Sequence, residues 1–186
     1  MAIANPRKHL TNLNEWHKMG DAGIFPPDSR LELINGEILE MAPIGCNHAG
    51  HVIRLINVFA PLISDKAIIN SQNPLQLNDL SEPEPDFMLL KPDENFYCSR
   101  HPTADEVLLL IEVADTSLEF DRNQKLHLYA LHSVPEYWLL DLNDNCLEVY
   151  RQPHGELYAE KTTLRAGGSV HLLQLPEIII KIGDIL

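Results

Sequence analysis

Two acidic residues stand where an acid is costly. Val107-Leu108-Leu109-Leu110-Ile111 is an apolar run suited to a buried central strand, and Glu112 follows it at once, with Val113 and Ala114 behind. Asp86 opens a second such run, Asp86-Phe87-Met88-Leu89-Leu90, directly after Pro85. Taking an unpaired carboxylate out of water costs several kcal/mol, so such a group is paired, hydrogen-bonded, protonated or bound to a metal. If the two acids converge they make a site for a hard cation, because Mg2+ takes a few carboxylates plus water. The plainer alternative puts each acid at a strand end, in solvent or beside a Lys or Arg.

Lys125 adds a cation to the set. A helix over 118–132 places Asp121, Lys125, Leu128, Tyr129 and His132 on one stripe, with Arg122, Asn123 and His127 pointing elsewhere. The stem of Lys125 then runs toward the sheet instead of into water. Its plain reading is an i, i+4 ion pair with Asp121, worth about 0.3 to 0.5 kcal/mol at a surface. His48 and His51 begin an earlier helix, and His48 lies on its apolar stripe with Val52 and Leu55. Neither a Cys nor a third His comes at ligand spacing, so a helix-start or core histidine is the favoured reading over a zinc pair. A place for His48 beside the acids is the third option.

The elements that must position these residues read in the order hairpin, helix, three strands, helix, strands. Leu31 to Glu40 carries Asn35-Gly36 between alternating residues, the signature of a type I′ hairpin. Ile34 then faces Glu37 and Glu32 faces Leu39, so one face of the ribbon carries both glutamates. Apolar residues Val52, Leu55, Ile56, Phe59 and Ile63 recur at helical spacing over 48–63, with Pro61 at the fraying end. Stretches 67–77, 85–90 and 107–114 read as strands, 136–142 and 146–151 as a hairpin around Asn143-Asp144-Asn145, and 157–164 and 177–182 as further strands.

Composition bounds the rest. With 186 residues and 45% hydrophobic content, the expectation is one domain over 1–186 with its core at about 30–151. No run reaches the roughly 18 apolar residues needed to span a bilayer, and Met1 to Leu10 mixes Pro6, Arg7, Lys8 and His9 where a signal core would be apolar. Cys46, Cys98 and Cys146 show no C-x-x-C spacing and read as reduced thiols of a cytoplasmic protein. The net charge of −13 repels phosphate backbones, although a divalent ion neutralises part of an acidic excess when it binds. Walker, Rossmann and G-x-S-x-G patterns are missing from the sequence.

Together, Arg30-Leu31-Glu32-Leu33-Ile34-Asn35-Gly36-Glu37, Glu84-Pro85-Asp86, Ile111-Glu112-Val113, Asp121-x-x-x-Lys125-x-x-x-Tyr129 and Pro135-Glu136-Tyr137-Trp138 resemble the Uma-two family. That family consists of restriction-endonuclease-like proteins grouped with the PD-(D/E)XK nuclease superfamily. The resemblance implies an α/β, restriction-endonuclease-like fold: a central mixed sheet flanked by helices, with an N-terminal β-hairpin. It implies Asp86 as the acid of the Pro-Asp element and Glu112 as the acid of the E-x-K element. Ala114 stands where that element has lysine, and Lys125 resembles the family's displaced lysine. Glu32 matches the hairpin acid.

The expected activity is hydrolysis of DNA phosphodiester bonds with Mg2+ or Mn2+. Asp86, Glu112 and the carbonyl of Val113 would hold the metal, Lys125 would orient water and stabilise charge, and Glu32 would complete the shell. DNA is the expected partner, against the sign of the net charge, and a homodimer would cut both strands. The rival is a binding or assembly module that keeps the fold without the activity, which the charge and Ala114 favour.

Overall fold

The computed structural model describes residues 7–186, and most of the segment read above for a missing signal core lies outside them. The chain forms two compact units, Met1–Pro43 with Gln76–Pro83, and Ile44–Leu75 with Glu84–Leu186.

In the first unit, α1 (Leu13–Asp21) starts at a capping box. Asn12 accepts the Glu15 N–H and Glu15 accepts the Asn12 N–H, both at 3.0 Å. The sequence reading assigned no element here, because the stripe of α1 is short, Leu13, Trp16 and Met19, and only Leu13 of the three is buried. The expected hairpin is present as β1 (Leu31–Ile34) and β2 (Glu37–Glu40), with Glu32 opposite Leu39 and Ile34 opposite Glu37. Asn35 and Gly36 both take positive φ, 52° and 77°, as a type I′ turn requires. Glu82 ties the unit together: its N–H donates to the Leu33 carbonyl at 2.7 Å, and its carboxylate accepts Trp16 Nε1–H at 3.1 Å and meets His17 Nε2 at 3.0 Å.

The second unit holds α2 (Cys46–Ile63) and a six-stranded sheet, in spatial order β3 (Ile68–Asn70), β4 (Phe87–Leu90), β5 (Val107–Ala114), β6 (Glu136–Asp141), β7 (Cys146–His154) and β8 (Leu157–Leu164). Only β5 and β6 run parallel, which makes the sheet mixed as expected. The strand read over 67–77 is cut to three residues. Past Asn70 the Ser71 hydroxyl donates to the Asp86 carbonyl, the Gln72 N–H donates to the Pro85 carbonyl, and Gln72 turns to φ 53°. Helix α2 runs through Pro61 to Ile63. A ribbon of β9 (Ser169–His171) and β10 (Ile179–Lys181) precedes α5 (Ile182–Ile185); β9 was missed, and 177–182 supplies only the three residues of β10.

The faces of the sheet differ. Val52, Leu55, Phe59 and Ile63 of α2 join Phe87, Leu89, Ile111, Val113 and Trp138 in the main apolar core. The alternating positions carry Glu112, Tyr137 and Tyr150, with Tyr129 in ring contact with Tyr137 at 5.3 Å. The helical stretch that supplies Tyr129 is α3 (Leu118–Phe120), a π-helical turn over Asp121–Lys125, and α4 (Leu126–Leu131). Its buried residues include Asp121, Lys125, Leu128 and Tyr129 of the predicted stripe, while Asn123 and His127 are exposed; His132, the last of the stripe, is half-buried just past the end of α4. Among the described residues, no helix is long and apolar enough to cross a membrane.

Candidate active site

Strand register brings the two acids side by side. Phe87 of β4 faces Ile111 of β5 in an antiparallel pair, so Asp86, one residue earlier, and Glu112, one residue later, come abreast. Their side chains cap the end of the ladder. The Asp86 N–H donates to Glu112 Oε2 at 3.2 Å, and the Val113 N–H donates to Asp86 Oδ2 at 2.9 Å. Two buried amides thus find acceptors where the regular pairing stops.

Two helices then reach the acids. From the first turn of α2, His48 Nε2 lies 2.9 Å from Asp86 Oδ2. From the π-helical turn, Lys125 Nζ donates to Glu112 Oε1 at 3.0 Å, and one turn later the Tyr129 hydroxyl donates to the same oxygen at 2.6 Å. Glu112 and Lys125 are 2% and 3% exposed, so this ion pair is dehydrated and water screens it little. Burial pushes the Asp86 carboxyl upward. The hydrogen bond and charge of His48, the Lys125 ammonium and the Val113 amide outweigh that push and hold it below its ordinary value. Asp86 is therefore ionised at neutral pH.

Each carboxylate oxygen offers two acceptor positions. Asp86 Oδ2 uses both, on Val113 and His48. No described residue donates to Asp86 Oδ1, on a side chain that keeps 11% exposure. That hard anionic oxygen suits a hard divalent cation. Among the described residues no three His, Cys, Asp or Glu side chains group as a ready-made metal site, so further donors would come from the Glu112 carboxylate, the Val113 carbonyl and water.

Of the residues singled out in the sequence, Asp86, Glu112, Val113 and Lys125 meet in the second unit. Glu32 is buried on β1 of the first unit, and Glu37, on the same hairpin, is exposed and pairs with Lys8. His48 belongs with the acids and not with His51, whose Nδ1 bonds the Asn47 carbonyl of its own helix. The sequence reading places Tyr129 on the Lys125 stripe and in the family pattern but gives it no role at the acids. The signal for it was its place one turn beyond Lys125 on the same stripe.

No curated protein matches the chain. Among solved structures it is similar to "a putative nuclease belonging to DUF820" from Anabaena variabilis ATCC 29413, at 17% identity and a TM-score of 0.75, covering 94% of this chain and 96% of that one. At that identity the likeness speaks for the fold. The family described as "Putative restriction endonuclease", Uma2, matches residues 13–183. That span takes in both acids, Lys125, His48 and Tyr129, and the chain belongs to the Uma2 family.

Proposed function

We propose that this protein is a divalent-cation-dependent endonuclease that hydrolyses phosphodiester bonds in DNA. The observation that carries the reading is the dehydrated set of Asp86 and Glu112, abreast on two adjacent strands, and Lys125, reaching them from the π-helical turn, with one Asp86 oxygen left open. Asp86, Glu112 and the Val113 carbonyl would hold Mg2+ or Mn2+. When bound, the ion supplies Lewis-acid polarisation of the scissile phosphate and makes an attacking water more acidic.

The chain's own residues do the positioning. Tyr129 and Lys125 both bond Glu112 Oε1 and fix that carboxylate against rotation. The Val113 amide donates to Asp86 from the strand side. Lys125, held on a helix instead of the strand, places a positive charge beside the acids, where it opposes the negative charge that develops on a phosphate under attack. A homodimer would present two such sites to two DNA strands. The three free thiols suit a reducing compartment, and we place the protein in the cytoplasm.

The net charge of −13 favours a second reading, a module that keeps the nuclease fold for binding or assembly without cleavage. One experiment separates the two. Purified protein is incubated with plasmid and single-stranded DNA in Mg2+, Mn2+ or EDTA, beside Asp86→Asn. Cleavage that needs the ion and drops on the order of a hundredfold or more in the variant supports the endonuclease, since the change removes a charged donor. Equal cleavage by both proteins, or none on any substrate, rejects it.

A further inference from the structure

His48 is the one residue of the cluster to which neither the sequence reading nor the proposed chemistry gives a task of its own. It stands in the first turn of α2, and the burial of Val52, Leu55, Phe59 and Ile63 along that helix fixes where its ring lies. Its Nε2 lies 2.9 Å from Asp86 Oδ2. An ionised carboxylate only accepts, so Nε2 carries the proton and donates. The other ring nitrogen, Nδ1, is buried and has no hydrogen-bond partner among the described residues. A histidine retained for packing normally satisfies both nitrogens, and a buried polar atom left single calls for an explanation. Among the described residues the ring has one polar contact, and that contact is Asp86.

The consequence lies in which Asp86 oxygen is left open. The Val113 amide and His48 both donate to Oδ2, approaching from the strand and from the helix, and they fill its two acceptor positions. With Oδ2 held from two sides the carboxylate cannot rotate about its terminal bond without breaking both contacts. We propose that His48 is a positioning residue that locks Asp86 through Oδ2, so that Oδ1 alone is presented to a divalent cation. This rests on the reading of Asp86 as a cation ligand. It adds that Asp86 binds through one oxygen and that the helix sets which one. Partners that hydrogen-bond a ligating side chain typically change metal affinity 10- to 100-fold when they are removed.

The test is a titration of the full chain with Mn2+, reading the free ion by electron paramagnetic resonance. Wild type is compared with His48→Ala, His48→Gln, His48→Asn and Asp86→Asn, and thermal unfolding in EDTA serves as the folding control. The glutamine amide nitrogen falls near the position of Nε2, whereas the asparagine amide reaches only that of Nδ1. The expected result is tight binding by wild type, affinity weakened about 10- to 100-fold in His48→Ala and His48→Asn, and most of it restored in His48→Gln. Equal affinity in wild type and all three His48 variants overturns the proposal while leaving Asp86 as a ligand. Equal weakening in all three overturns it as well, because the imidazole itself would then be a ligand. Absence of binding by wild type, or equal binding by wild type and Asp86→Asn, removes the reading of Asp86 and this inference with it. The glutamine and asparagine variants keep the comparison open should His48→Ala fail to fold.

Discussion

Lys125 and Glu112 form a buried ion pair, 3.0 Å between Nζ and Oε1. Forming such a pair from solvated ions adds little net stability, but removing one partner strands the other charge without solvent. The Lys125→Met variant keeps the volume of the stem and leaves Glu112 with Tyr129 and the Asp86 amide. It is expected to lose about 3 to 5 kcal/mol in urea unfolding. The double variant Lys125→Met/Glu112→Gln should recover part of that loss, because the stranded charge is gone. A single-variant loss below about 1 kcal/mol would place the pair in solvent, where ion pairs are worth that little.

At the scale of elements, two short features decide what reaches where. The π-helical turn over Asp121–Lys125 lies inside an otherwise regular helical stretch, and such turns concentrate at functional sites. Lys125 ends that turn on the Glu112 side, while Arg122 within it leans the other way, donating to Asp141 at 3.0 Å and to Glu148 at 3.1 and 3.2 Å. The β1–β2 turn is the second feature. Gly36 sits at φ 77°, its N–H donates to the Leu80 carbonyl at 2.7 Å, and a Cβ there would lie 2.6 Å from the Cβ of Leu10. Gly36→Ala is strained in its backbone and crowded in space, so it should cost more than about 1 kcal/mol. The check is a lower urea midpoint at an unchanged slope. An unchanged midpoint would show that the hairpin accommodates a side chain at the turn.

For the whole molecule, the first unit is small and discontinuous. It is built from Met1–Pro43 and Gln76–Pro83, and the bridge between Leu33 and Glu82 closes it across the intervening chain. A unit of roughly 50 residues buries too little apolar surface to be strongly stable alone. Its closure also awaits residues 44–75, which belong to the second unit. We therefore expect the chain to unfold as one domain. Its two tryptophans provide the probes, Trp16 in the first unit and Trp138, fully buried, in the second. In Trp16→Phe and in Trp138→Phe, fluorescence and far-ultraviolet circular dichroism should each give a single, coincident transition. A separate, earlier transition reported by Trp16 would show that the first unit melts independently.

Much of this arrangement is legible in the residue order, because local physics leaves few choices. Asn35-Gly36 between alternating residues makes a type I′ turn and sets the pairing of Glu32 and Glu37. The apolar runs around Glu112 and after Asp86 put both acids on buried strands, and helical spacing alone puts Lys125, Leu128 and Tyr129 on one buried stripe. Helix α1 was hidden for the opposite reason: it is nine residues long, with a capping pair of Asn12 and Glu15 and a stripe of only Leu13, Trp16 and Met19 behind it. Strand 67–77 was overread, since a left-handed Gln72 and bonds to Pro85 and Asp86 end the ladder early. What the chain by itself determined was therefore which side chains are buried and on which element. Which atoms meet was decided by tertiary structure. The antiparallel register of β4 and β5 sets Asp86 beside Glu112, and the docking of α2 aims His48 at Asp86, 38 residues away in sequence. Contacts over such separations depend on how elements pack, and no local periodicity encodes them.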